Sequence, residues 1–308
     1  MLDYKEFKEI IINEVKAIIG EETKVEFKTV HKINQVSYEG MMVSSRRRGV
    51  FPTIPMEPCF VAYQNGHVSL DQVIQMVRTR LLVQEHELSD FIRDVQTGNN
   101  IKERIFMRVI NYEKNKEWLA DYPHRRRLDL AITYYLGTDD RGTSLYAANI
   151  SYKLMQAMGL TEEELYRLAY ENSTTKQPPV IKKIKDTFPE ILWDMASEML
   201  GDNSAVSEAD DLMYVLTNPK KKLGAVCMFY EGVFEELAES LQDDLFILPS
   251  STHEVIIVPC EGLEAEKLQE IVKEVNRTSV EADEVLGESV YIYRRNKKTV
   301  EINLEALR

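Results

Sequence analysis

The stretch Leu245-Phe-Ile-Leu-Pro-Ser-Ser-Thr-His-Glu-Val-Ile-Ile-Val258 decides the fold. Two short apolar runs flank a polar segment with Pro249, two serines and a threonine, and apolar runs bounded by turn-forming residues read as strands. Ahead of it, Met213 to Leu216 reads as a strand, followed by a helix over about Gly224 to Leu241. After it come a helix over about Leu263 to Asn276, a strand from Val290 to Tyr293 and a last strand near Val300 to Leu304. Strands and helices mix without strict alternation. That order favours an α+β fold with mixed, largely antiparallel sheets and packed helices over a doubly wound parallel sheet.

The pattern continues upstream. Phe7, Ile10, Ile11, Val15, Ile18 and Ile19 recur at three-to-four spacing and stop at Gly20, which predicts an amphipathic helix. Lys24 to Val30 and Gln35 to Val43 read as a hairpin, and Pro52, Pro55 and Pro58 argue against regular structure until about Cys59. Ser69 with Gln72 forms a capping-box pattern at the head of a helical stripe reaching Val95. Ile105 to Ile110 and Leu128 to Leu136 read as strands, and Leu145 to Met158 as a helix ending at Gly159. Thr161 with Glu164 is a second capping box, opening a helix ended by Pro178 and Pro179. Gly201 to Asp211 reads as an exposed connection.

At 308 residues the chain exceeds the usual single-domain size. Two subdomains are expected: residues 1–100, with an N-terminal helix, a hairpin and a long helix, and an acidic α+β domain over 101–308. Net charge is −13, and residues 131–308 carry −14 of it while residues 1–130 sum to +1. Such a balance does not favour a nucleic-acid binder, which needs a clustered basic surface; solubility or a basic partner explains the acidity equally well. The first residues alternate charged and apolar side chains and no run of 18 or more apolar residues occurs, so no signal peptide, spanning helix or membrane partner is expected and the cytoplasm is the default. Cys59, Cys227 and Cys260 stand far apart without CxxC spacing, which suits reduced, partly buried thiols rather than disulfides or a zinc site.

Three clusters are candidates for chemistry. Ser251, His253 and Glu254 bring a hydroxyl, an imidazole and a carboxylate to the strand connection. In an extended chain Ser251 and His253 face one side and Glu254 the other, so local spacing alone cannot build a serine triad, and no GxSxG elbow is present. Ile257 stands where HExxH needs its second histidine, so no metal site is expected. The plainer reading is a polar turn satisfying backbone groups. Arg46, Arg47 and Arg48 form one arginine triplet, and Arg125, Arg126 and Arg127, set between Asp121, His124 and Asp129, form another. Arginine presents a bidentate fork to phosphate or carboxylate, so both triplets are candidate anion-binding groups; the bland alternative is a solvated, mutually neutralising segment. The acidic turn Gly137 to Gly142 could hold a cation, although a connecting loop explains it as well. GxxxxGK[ST] and GxGxxG are both absent, and no cofactor is expected.

The segments Tyr122-Pro-His-Arg-Arg-Arg-Leu-Asp-Leu-Ala131, Leu160-Thr-Glu-Glu-Glu-Leu-Tyr-Arg-Leu-Ala-Tyr-Glu-Asn172, Tyr214-Val-Leu-Thr-Asn218, Leu248-Pro-Ser-Ser-Thr-His-Glu254 and Val272-Lys-Glu-Val-Asn276 together resemble an uncharacterised bacterial family. That family carries a domain of unknown function, is common in gut Firmicutes and is often linked to integrative mobile elements. The resemblance covers most of the chain and implies a bacterial cytoplasmic protein, with no activity or catalytic residue to carry over. The expectation is a non-enzymatic binding or accessory protein of a mobile element, acting in conflict with host defence, with another protein as partner. The alternatives are a hydrolase or transferase using Ser251 and His253, and a phosphate or nucleic-acid binder using the arginine triplets.

Overall fold

The computed structural model describes residues 2–45, 49–50, 53–83, 97, 100–137, 147–186, 213–249 and 251–303. The chain is α+β, and every strand pairing in its three sheets is antiparallel among the described residues. It divides into two compact units, whose described residues lie within 2–101 for the first and within 102–137 and 147–303 for the second.

In the first unit, helix α1 (Tyr4–Ile19) starts at a full capping box: Asp3 Oδ1 accepts from the Glu6 N–H at 2.8 Å and Glu6 Oε2 accepts from the Asp3 N–H at 2.9 Å. It buries Phe7, Ile11, Val15 and Ile19, one residue per turn. The predicted hairpin is present as β1 (Lys24–His31) and β2 (Ser37–Ser45), with Lys24 opposite Ser44 and His31 opposite Ser37. β3 (Gly49–Val50) pairs with β2 just ahead of the proline segment, which itself departs from expectation, because β4 (Ile54–Pro55) also pairs with β2 and helix α2 (Met56–Gln64) already starts at Met56. Pro58 does not bar that helix: in the first turn its missing N–H has no intrahelical acceptor to lose. Helix α3 (Leu70–Val83) opens on the expected Ser69/Gln72 box; its predicted continuation to Val95 lies outside the described residues. Met41, Val43, Ile54, Val73, Val77 and Leu81 close the core over α1.

The second unit holds two sheets. In one, β7 (Leu130–Gly137) lies between β5 (Ile105–Asn111) on one side and β6 (His124–Arg127) with β8 (Ala147–Asn149) on the other, and every β7 residue is buried. A short helix α4 (Lys116–Leu119) connects β5 to β6. The helix expected from Leu145 is corrected: Ala147 to Asn149 pair with Gly137 to Tyr135, and α5 (Tyr152–Ala157) begins only after Ser151 caps it. Alanine prefers helix, but the open edge of β7 offers backbone partners that outweigh that preference. Helix α6 (Glu162–Lys176) carries the expected Thr161/Glu164 capping box and packs on β5, where Ser173 Oγ accepts from the Met107 N–H at 2.9 Å.

The other sheet runs β14-β13-β11-β12-β10-β9, from β9 (Val180–Lys183) and β10 (Tyr214–Thr217) through β11 (Leu245–Leu248) and β12 (Val255–Pro259) to β13 (Tyr291–Arg294) and β14 (Thr299–Ile302). The deciding stretch is its central hairpin, Leu248 facing Ile256 and Leu245 facing Pro259. Both strands are buried throughout, which is why they read as continuous apolar runs. Phe246, Leu248, Ile256 and Val258 pack with Leu268, Ile271, Val272 and Val275 of α8 (Ala265–Thr278), as the helical stripe over 263–276 predicts. The single helix expected over Gly224 to Leu241 is instead a 3-10 turn (Gly224–Phe229) followed by α7 (Glu235–Leu241). Gly232 sits between them at φ 73, a left-handed conformation no continuous helix accommodates. Residues 224–228 are all buried, so the apolar run reflects burial on every side rather than one helical face.

Candidate functional site

The β11–β12 connection is a tight turn rather than extended chain. Ser251 N–H donates to the Glu254 carbonyl at 3.3 Å, and Ser251 Oγ donates to Glu254 Oε1 at 2.6 Å while accepting from the His253 N–H at 2.9 Å. The turn thus brings Ser251 and Glu254 together, although alternation along a strand would have separated them. His253 points elsewhere. Its Nδ1 accepts from the Leu223 backbone N–H at 3.0 Å, and its Nε2 lies 3.0 Å from Glu284 Oε1. A backbone N–H can only donate, so Nδ1 is the acceptor and Nε2 carries the proton, its N–H donating a hydrogen bond to Glu284 Oε1.

Both ring nitrogens are therefore engaged with groups other than Ser251. The imidazole clips two loops to the turn: 218–224 through Leu223, and 281–284 through Glu284. Backbone bonds reinforce both, with the Thr252 N–H donating to the Glu284 carbonyl at 2.8 Å and the Gly224 N–H to the His253 carbonyl at 3.0 Å. The Thr217 hydroxyl also donates to that carbonyl, at 2.8 Å. Asn218 shapes the first loop from within, its Oδ1 accepting from the Lys220 N–H at 3.0 Å and its Nδ2 donating to the Lys222 carbonyl at 2.8 Å. Gly224 is required at the crossing: an added Cβ would lie 2.4 Å from Thr217 Oγ1 and 2.7 Å from both Asn218 N and His253 O. Glu254 is 8 % exposed, and burial raises its carboxyl above the ordinary value despite the opposing Ser251 hydrogen bond.

Arg46, Arg47 and Arg48 lie outside the described residues, as do Thr138 to Gly142 of the acidic turn and the loop 201–211. Arg125, Arg126 and Arg127 lie in β6 itself, so successive side chains leave on opposite faces. Arg125 lies 3.7 Å from the Tyr166 ring centroid and pairs with Glu163. Arg126 lies 4.3 Å from the Tyr112 ring and 3.9 Å from Glu113. The triplet is split between two aromatic and carboxylate neighbourhoods rather than gathered into one anion clamp. Asp129 turns away as well, accepting from Ser289 Oγ and Tyr291 Oη, each at 2.7 Å. His124 Nδ1 lies 2.9 Å from the Tyr122 carbonyl.

A second feature escaped sequence reasoning. Beside Arg125, an open cleft of about 420 Å³ is walled by Tyr166, Tyr170 and Phe229 and edged by glutamates. The i,i+4 spacing of Tyr166 and Tyr170 on α6 is visible in the sequence, but Phe229 and Glu231 come from the end of the 3-10 turn and the segment after it, Glu231 lying 61 residues from Tyr170, and only folding joins them to it. Among the described residues, no three His, Cys, Asp or Glu side chains stand close enough to hold a metal ion, and no helix is long and apolar enough to cross a membrane. Cys59, Cys227 and Cys260 are free thiols; burial pushes the Cys227 and Cys260 thiols up to about 12.

Residues 4–295 match the model of DUF5688, described as a family of unknown function, and the chain belongs to that family. No curated protein matches it, and neither does any solved structure.

Proposed function

We propose that this member of a family of unknown function is a non-enzymatic binding or accessory protein. The observation that carries the reading is the engagement of His253. With Nδ1 accepting from Leu223 N–H and Nε2 bonded to Glu284, the imidazole has no free nitrogen to take a proton from Ser251, whose own hydroxyl is spent on Glu254. The hydrolase alternative needs that proton transfer. The remaining elements of the proposal, a bacterial cytoplasmic protein of an integrative mobile element acting against host defence, rest on the sequence resemblance and on the acidity of residues 131–308. An acidic surface favours a basic partner through charge complementarity.

Two measurements on the full chain test the proposal. Immobilised protein incubated with bacterial lysate is expected to retain a partner at low ionic strength and release it as salt rises. A fluorophosphonate probe is expected to leave Ser251 unlabelled. Labelling of Ser251 that disappears in Ser251→Ala, or the absence of any salt-sensitive partner, overturns the reading.

A further inference from the structure

We propose that the cleft on α6 binds an arginine side chain presented by an extended basic segment of another protein. The proposal rests on the binding-protein reading and adds to it a place and a chemistry. Tyr166 and Tyr170 lie with ring centroids 5.9 Å apart along one face of the helix, and Tyr230 braces Tyr170 edge-on at 6.0 Å. The Tyr170 hydroxyl accepts from the Glu231 N–H at 3.1 Å, which fixes the ring's outer end against the segment following the 3-10 turn. Tyr170 is thus held at both its ring edge and its hydroxyl before any ligand arrives, which lowers the ordering cost of binding.

One end of this wall shows what it accepts. The Arg125 guanidinium lies 3.7 Å from the Tyr166 centroid and pairs with Glu163, combining a ring face with a carboxylate. The other end repeats the ingredients, with Tyr170 and Phe229 as half-buried apolar surface and Glu171 and Glu231 at the margin. Arg167 pairs with Glu171 at 3.1 Å, but both side chains are more than half exposed, so that contact is easily exchanged. Glu231 has no ion pair among the described residues. With Glu163 paired to Arg125 and Glu171 to Arg167, Glu231 leaves one uncompensated carboxylate at the margin, so the lining favours a cation over an anion or a neutral group. Exposed carboxylates alone bind little in salt. A planar, weakly hydrated guanidinium gains from both the ring faces and the carboxylates, whereas a compact ammonium gains less from the rings.

The test uses fluorescence anisotropy with labelled Gly/Ser peptides carrying two arginines, the same peptide with citrulline at both positions, and one with lysine. The arginine peptide should bind about tenfold or more tighter than the neutral citrulline isostere, which matches it in shape and hydrogen-bonding reach. Tyr170→Ala and the double variant Glu171→Gln/Glu231→Gln should each weaken it several-fold, and unchanged circular dichroism shows that they fold. Tyr170→Phe keeps the ring, so it separates loss of stacking from disturbance of the Glu231 segment and should retain most of the affinity. Equal binding of arginine and citrulline peptides, or binding indifferent to both Tyr170→Ala and the glutamate pair, overturns the proposal. If the glutamate variant still captures the salt-sensitive partner from lysate, the cleft is wrong and the binding-protein reading stands. Loss of capture by wild type removes the broader reading instead.

Discussion

Replacing His253 with alanine should destabilise the second unit rather than abolish a reaction. The change removes the acceptor for the Leu223 N–H, held at 3.0 Å in a partly buried setting, and leaving such a donor unsatisfied costs about 1–3 kcal/mol. Leu223 is held at φ 54, so its loop loses a restraint where the backbone is already unfavourable. The contact with Glu284 adds less, because its side chains are 26 % and 40 % exposed and water screens the pair; below about 1 kcal/mol is appropriate. Together the loss is about 1–4 kcal/mol, or roughly 2–16 °C in the midpoint for a unit of this size. Thermal unfolding followed by circular dichroism on the full chain measures it. A histidine positioned for chemistry more often shows the opposite sign, since such residues sit in strained or poorly satisfied surroundings whose removal stabilises. A midpoint unchanged or raised in His253→Ala would refute the clamp.

Three further outcomes follow from the same geometry. Gly224→Ala should cost at least about 2 kcal/mol, since the new methyl meets two backbone atoms at 2.7 Å that cannot swing aside, and denaturant titration reads the loss as a lower midpoint. Glu254→Gln should gain stability relative to wild type as pH rises. Burial raises the folded carboxyl above its value of 4.5 in the unfolded chain, so wild type binds the proton more tightly when folded and loses stability from about pH 4.5 up through that raised value, a loss the uncharged amide does not share; parallel melts from pH 4 to 8 that keep a constant difference would contradict this. Cys227 and Cys260, pushed up to about 12, are ionised to only about one part in ten thousand at pH 8 and should react with a thiol-specific reagent orders of magnitude more slowly in folded than in unfolded protein.

Much of the second unit is written locally. The runs Leu245 to Leu248 and Val255 to Val258 announce buried strands because both faces are covered, and the stripe over 263–276 announces a helix because only one of its faces is. Capping boxes at Ser69 and Thr161 are legible for the same reason, since donor and acceptor lie three residues apart. Where the sequence misled, the causes differ: Ala147 to Asn149 is a strand because the distant β7 has an open edge, whereas Gly224 to Phe229 breaks from α7 because the nearby Gly232 turns left-handed. In the candidate site the polar turn itself is legible from Pro249 and its hydroxyl neighbours, but the Ser251–Glu254 pairing is not, because strand alternation would separate the two. Leu223 and Glu284, 30 and 31 residues from His253, give it its role and leave no mark near it in the sequence.

The most direct test of that role is the protonation pattern of the His253 ring, read from long-range ¹H–¹⁵N correlations of the neutral imidazole in wild-type protein, with His253→Gln used to assign the signal. The clamp requires one fixed tautomer, with the proton on Nε2 and an unprotonated, hydrogen-bonded Nδ1 that loses its character when the 218–224 loop unfolds. A ring that exchanges between tautomers, or carries its proton on Nδ1, would contradict it and return His253 to the candidates for a catalytic base.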